Sequence, residues 1–292
     1  MNNKSKNKIK ITFKKVPILY KVLKLFYHIY KKIFFILKCT FYNVYPKKFL
    51  YPDVSVIVAS YNYEKYIGDT LNSLINQTLR INNIIVIDDG STDKSVEIIK
   101  KYVKKYDNIT FIQHKDKKNH GLPETIKYAI SFSKNKWIAF CESDDLWDKH
   151  HFEYLVRKIK QYREDGIYAN KIKLYDDFAC EEYMPYLNVC DKILKMRNGQ
   201  NIFDKMKKSN ILPTFSAICV PKNILEKCNF NSCIPQYLDY WLWRQLSNKH
   251  NVFYVDKAIT LWRKHQNSLD RRDNVSDMRK FLEENDKIII PS

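Results

Sequence analysis

The chain has 292 residues, and 51 Lys and Arg against 32 Asp and Glu give it a formal charge of +19. At about 150 residues per domain, that is one or two domains with enough chain to bury a core. A hydrophobic fraction of 45% with 14% aromatics excludes a disordered chain, and five Gly exclude collagen-like and Gly-rich low-complexity classes.

Charge is placed unevenly. Residues 1–50 hold thirteen Lys and no acid, which leaves only +6 for the rest. A nucleic-acid binder spreads its basic face over the folded domain, so this pattern argues for no nucleic-acid partner. Residues 1–15 are Asn/Lys-rich, and Pro17 is placed to open a helix. Between Ile18 and Cys39 the polar positions Lys21, Lys24, His28, Lys31, Lys32 and Lys38 fall within an arc of about 120° on a helical wheel. The opposite arc carries Leu19, Val22, Leu23, Phe26, Ile29, Tyr30, Ile33, Phe34 and Leu37. No stretch is clean enough to span a bilayer, and no small-residue cleavage site follows it. The expectation is a helix over residues 16–40 lying on an anionic membrane surface, against the alternative of an amphipathic helix packed on the protein's own domain. The seven Cys include no C-x-x-C pair, which fits a reducing compartment: cytoplasm, peripheral on the inner face of the membrane.

Tyr51-Pro52-Asp53 marks the boundary of a folded domain over 51–270, followed by a tail at 271–292. Val54–Ala59 reads as a buried parallel strand, then a helix from Glu64 to about Gln77, a strand at Asn83–Ile87, and a helix to about Tyr106 capped by Ser91 or Thr92. A strand at Ile109–Gln113, a helix at Pro123–Ser133 and a strand at Trp137–Cys141 complete an α/β alternation with a mostly parallel, Rossmann-like sheet. Residues 51–163 would bind the first ligand and 164–270 form the opposite side. Asp176-Asp177 and Glu181-Glu182 in that second part read as solvated loop acids.

Three strands end in polar clusters: Ser60-Tyr61-Asn62, Asp88–Asp93 and Glu142–Asp145. Ligands of open α/β sheets bind beyond the carboxyl ends of the strands. Turn and cap chemistry explains Ser91 and Thr92, but not adjacent carboxylates after two separate apolar strands, which repel unless something compensates them. Glu142-x-Asp144-Asp145 suits Mn²⁺ or Mg²⁺ shared with a substrate phosphate, and Asp88-Asp89 can accept hydrogen bonds from a base or ribose. No G-x-G-x-x-G, Walker A, G-x-S-x-G or H-E-x-x-H motif is present, which argues against dinucleotide oxidoreductases, P-loop NTPases and the corresponding hydrolases.

In order, PDVSVIVASYN, IIVIDDGSTDKS, NHGLPETI and FCESDDLWDKHH resemble the inverting family 2 glycosyltransferases of GT-A fold, and LDYWLWRQL and LWRKHQNSL are similar to that family's later motifs. The resemblance covers residues 53–269. It implies transfer from a nucleotide diphosphate sugar, UDP- or TDP-linked, to a hydroxyl of a glycan or lipid-linked acceptor, in bacterial surface polysaccharide synthesis. It implies Asp239 as catalytic base and a donor site of Ala59, Tyr61, Asn62, Asp88, Asp89, Gly121, Asp144 and His265, with Asp89 reading a base N–H. Asp144 and Asp145 would hold ribose and metal, their division left open, and Glu142 and His265 would assist the metal. Three departures stand out: Glu142 in place of the usual first Asp, Ile126-Lys127 in place of Arg-Asn, and Leu238 in place of an acid. A nucleotidyltransferase with a metal–carboxylate site, or a non-catalytic membrane-associated nucleotide-sugar-binding protein, would share some of these features. The former lacks its expected Gly-rich basic loop here, and the latter leaves the carboxylates idle.

Overall fold

The computed structural model describes residues 53–175, 180–195, 198–231, 237–265 and 275–289. The helix expected over 16–40, the acids Asp176-Asp177, and Gln266-Asn267-Ser268 of the closing motif lie outside the described residues, as do the side chains of Glu181 and Glu182.

The apolar runs form β1 (Val54–Ser60), β2 (Ile84–Asp88), β3 (Ile109–Gln113) and β4 (Trp137–Phe140), joined by α1 (Ile67–Ile75), α2 (Ser95–Lys105) and α3 (Leu122–Phe132). There follow β5 (Leu146–Trp147), α4 (His151–Tyr162), β6 (Ile167–Tyr175), α5 (Cys180–Lys195) and α6 (Phe203–Lys208). The chain continues through β7 (Ile218–Pro221), α7 (Lys222–Leu225), α8 (Leu238–Lys249), β8 (Val252–Arg263) and α9 (Val275–Ile289). The sheet order is β3-β2-β1-β4-β7-β6-β8-β5. Its first half, β3-β2-β1-β4, is parallel throughout. From β7 onward it is mixed: β7 runs antiparallel to both neighbours, β6 and β8 pair in parallel, and β5 closes the edge antiparallel to β8. The parallel character expected from the βαβ alternation therefore belongs to the half in which helices alternate with strands.

Both faces of the sheet are covered, which is why β1 and β2 read as near-continuous apolar runs. Val54, Val56 and Val58 pack with Leu71, Val86 and Ile99 on one face, while Ile57, Ile85 and Ile87 pack with Ala129, Ile130 and Trp243 on the other. Each such side chain, taken fully out of water, contributes about 1.5–3 kcal/mol. Trp241 and Trp243 are both fully buried core residues. Cys141, Cys190 and Cys219 are buried free thiols, used as small hydrophobes.

One cap differs from expectation. Neither Ser91 nor Thr92 caps α2; Asp93 accepts the Ser95 N–H at 2.9 Å instead. Ser91 and Thr92 bind across to the loop after β1. The Asn62 N–H donates to Ser91 Oγ, and the Thr92 N–H donates to Asn62 Oδ1, both at 2.8 Å. The in-register pairing of Ser60 with Asp88 brings the two loops level, so a reciprocal clasp outcompetes a local cap.

Candidate active site

The strand ends open onto one cleft of ≈ 1190 Å³. Ala59, Tyr61 and Asn62 line it from the end of β1, Asp89 and Gly121 from the end of β2 and the start of α3, Glu142 and Asp144 from the loop after β4, and Asp239 from the first turn of α8. Eight of the residues picked out in the sequence therefore share one cavity.

Asp89 is 4% exposed and fixed from several sides. The His120 N–H donates to its Oδ1 at 2.8 Å, and the Gly121 N–H donates to its Oδ2 at 3.0 Å. His114 Nε2 lies 3.4 Å from Oδ1 and 2.9 Å from Thr125 Oγ1. Each carboxylate oxygen has two acceptor sites, so capacity remains for a ligand N–H. Gly90, at φ 81, is needed here: a Cβ would come within 2.6 Å of the Lys118 backbone. Tyr61 is 44% exposed, on the lip of the cleft.

Asp88 departs from the expected role. It is fully buried, and its Oδ1 accepts the Gly90 and Ser91 N–H groups and the Gln113 side-chain amide. A carboxylate engaged in this way builds the turn and does not face the cleft.

Asp145 also lies behind the cleft wall. It is 1% exposed, its Oδ1 accepts the Arg263 N–H at 2.9 Å, and its Oδ2 lies 3.3 Å from Thr214 Oγ1. Burial, followed by the charge of Asp144, pushes its carboxyl up to about 8. Glu142 accepts a short hydrogen bond from the Thr214 hydroxyl. Desolvation, then the charges of Asp145 and Asp144, hold its carboxyl well above the ordinary range, with the Thr214 bond opposing. Both acids thus face a shared hydroxyl, which a metal-ligand role expected of them does not require.

Asp144 and His265 form the remaining pair, Nε2 to Oδ2 at 3.0 Å, with His265 stacked on Tyr66 at 4.4 Å between ring centroids. Among the described residues no group of three or more His, Cys, Asp or Glu stands at metal-ligand geometry. A hard divalent cation often takes only one or two carboxylates from the protein and completes its shell with phosphates and water. An Asp–His pair of which Asp144 lines the cleft fits that incomplete donor set.

Asp239 is held by the backbone. The Thr214 N–H donates to Oδ2 at 2.9 Å, the Tyr240 N–H to Oδ1 at 2.6 Å, and the Asn210 side-chain amide reaches Oδ2 at 3.4 Å. Leu238, in place of an acid, is fully buried.

Sequence reasoning missed Thr214, His114 and Arg263. His114 follows directly on β3, so the rule that found the other strand-end residues would have found it. The Arg263 guanidinium lines the cleft, contacts Asp69 at 3.2 Å and lies 4.8 Å over the Tyr66 ring. It stands inside LWRKHQNSL, where the resemblance implies a site role for His265 and none for the Arg. Thr214 has no local signal at all.

The fold is of GT-A type, and residues 55–217 match the family model described as Glycosyl transferase family 2. The chain belongs to that family. It is 26% identical to the glycosyltransferase GlyA of Streptococcus pneumoniae over 225 residues, 75% of this chain and 31% of that protein. It is 35% identical to the minor teichoic acid biosynthesis protein GgaB of Bacillus subtilis over 121 residues, 41% of this chain and 13% of that one. The chain thus spans under a third of the length of either relative. Its fold resembles that of S. aureus TarS 1–349, solved in complex with UDP-GlcNAc, with a TM-score of 0.59, 21% identity, and coverage of 81% of this chain and 66% of that one.

Proposed function

We propose that this chain is an inverting glycosyltransferase, moving a sugar from a UDP- or TDP-sugar to a hydroxyl of a glycan or lipid-linked acceptor in surface polysaccharide synthesis. The observation that carries the reading is a single cleft lined by Ala59, Tyr61, Asn62 and Asp89 from the strand ends and by Asp239 from the first turn of α8. GlyA, GgaB and the UDP-GlcNAc complex of TarS support it by kinship and by fold.

In this reading the nucleotide base lies between Ala59 and Tyr61, with a base N–H donated to Asp89. Asn62, clasped to Ser91 and Thr92, holds the loop that carries Tyr61. The acceptor hydroxyl approaches from the α8 side and gives its proton to the Asp239 carboxylate as its oxygen attacks the anomeric carbon. The bond to the diphosphate breaks on the opposite face, so configuration inverts. Asp144 and His265 would hold Mn²⁺ or Mg²⁺, which when bound supplies charge stabilisation to the departing diphosphate. Asp88 and Asp145 support the geometry from behind, and Glu142 does so from the cleft wall through its bond from the Thr214 hydroxyl.

The membrane assignment rests on the sequence of residues 16–40. Among the described residues no helix is long and apolar enough to cross a membrane.

A thermal-shift series with UDP, TDP, GDP and CDP, each with and without Mn²⁺, tests the donor reading, because a ligand that binds the native state raises its apparent stability. Stabilisation by UDP or TDP, increased by Mn²⁺, is expected. Stabilisation by GDP or CDP alone would overturn the base assignment.

A further inference from the structure

We propose that Thr214 is a positioning residue that fixes the carboxylate of Asp239 from the acid cluster after β4; the inference rests on Asp239 being the base. Thr214 is 5% exposed and lies at φ 110, a backbone region that a β-branched residue seldom adopts. It also caps the short turn Phe215–Ala217 from the preceding position, where its Oγ1 accepts the Ser216 N–H at 3.2 Å. The same hydroxyl donates to Glu142 and lies 3.3 Å from Asp145 Oδ2. On its other side the Thr214 N–H donates to Asp239 Oδ2 at 2.9 Å.

These contacts belong together. An unusual φ persists only where its surroundings over-determine it, and such residues cluster at functional sites. Here the hydroxyl contacts anchor the side chain against Glu142 and Asp145. With the side chain anchored, φ decides where the N–H points, and at 110° it points at Asp239. A return to negative φ would swing the N–H off that carboxylate. The hydroxyl therefore holds the strained backbone, and the backbone aims the base. No sequence pattern marks this residue, because the link runs from β4 to α8 through a loop distant from both in the chain.

A merely structural crosspiece would also be buried and bonded, so the test separates kcat from ligand affinity. Thr214→Val keeps shape and N–H but loses the hydroxyl, and a β-branched residue without that anchor relaxes toward negative φ. Thr214→Gly loses the same hydroxyl but adopts positive φ without strain. Thr214→Ser keeps the hydroxyl. The measurements are kcat and its pH profile, from UDP release with whichever sugar nucleotide the parent turns over, together with the affinity for UDP alone.

The expected order of kcat is Ser close to the parent, then Gly, then Val. The Val variant should be down about tenfold to a hundredfold while its UDP affinity stays within about threefold. A shifted acidic limb in the Val profile, restored by Ser, would support base positioning. Parental kcat in Val, or equal loss of kcat and UDP affinity in Val and Gly, would overturn the inference. Asp239→Asn is the control. If it retains parental turnover, the base assignment falls and this inference with it; if it is inactive while Val is parental, only this inference falls.

Discussion

The Gly121 N–H donates to Asp89 Oδ2 at 3.0 Å, tying the start of α3 to the end of β2 and closing one wall of the cleft. Because the His120 N–H binds the other oxygen, the Asp89 carboxylate orders the loop as well as facing the ligand space.

That double duty gives the first prediction. Asp89→Asn turns one oxygen into an NH₂ that meets a backbone donor, so a part-buried N–H loses its acceptor. We expect a stability loss of about 1–3 kcal/mol and weaker UDP binding. Urea melts with and without saturating UDP measure both. An unchanged midpoint together with unchanged affinity would show that Asp89 does neither job.

Asp144→Asn and His265→Ala each remove half of the pair placed to hold a divalent cation. An amide is a neutral, weaker ligand than a carboxylate, so the Mn²⁺ concentration for half-maximal turnover should rise in both variants. EDTA should abolish parental turnover, and full activity in EDTA would count against any metal at this pair.

Asp239→Asn keeps size but loses basicity, and it also loses one of the two oxygens that accept the Thr214 and Tyr240 N–H groups. Turnover should fall by roughly 10²–10⁴ while UDP binding survives. Near-parental turnover would reassign proton removal to another group.

His151 sits stacked on Trp147 at 3.9 Å with its Nδ1 paired to the Ile259 carbonyl, and burial pushes its ring down to about 3. The folded state therefore keeps it neutral where the unfolded chain, near 6.5, takes up a proton. Its contribution to stability is complete above pH 6.5 and is lost at about 1.4 kcal/mol per pH unit as the pH falls from there toward 3. Urea midpoints of the parent minus those of His151→Phe, between pH 7.5 and 4.5, isolate this slope from the oppositely shifted Glu142 and Asp145. A pH-independent difference would refute it.

Residues 16–40 should bind anionic vesicles, each Lys near the surface contributing about 1 kcal/mol, and binding should weaken as salt rises. Flotation with phosphatidylserine vesicles, using the full chain and a chain lacking residues 1–52, measures this. Failure of the full chain to float at low salt would end the membrane reading.

The first four strands were legible because each is a short, largely apolar run: β1, β2 and β4 are buried on both faces, while the edge strand β3 is partly exposed and keeps its β-branched character. The strand-end residues Tyr61, Asp89 and Asp144 followed from the parallel alternation, which puts the carboxyl ends of β1, β2 and β4 at one edge. What neighbouring residues do there was not legible. Asp88 and Asp89 are adjacent and chemically alike, yet opposite side-chain directions along the strand send one into a turn and the other to the cleft. Asp144 and Asp145 divide in the same way, one toward His265 and the other toward Thr214. Thr214 carries no signal because the carboxylates it joins lie 25 to 72 residues away in sequence. Local patterning determined where the elements and polar ends would be. The packing of β7, β8 and α8 against them decided which carboxylates stay accessible, because only long-range contacts choose which lone pairs are already taken.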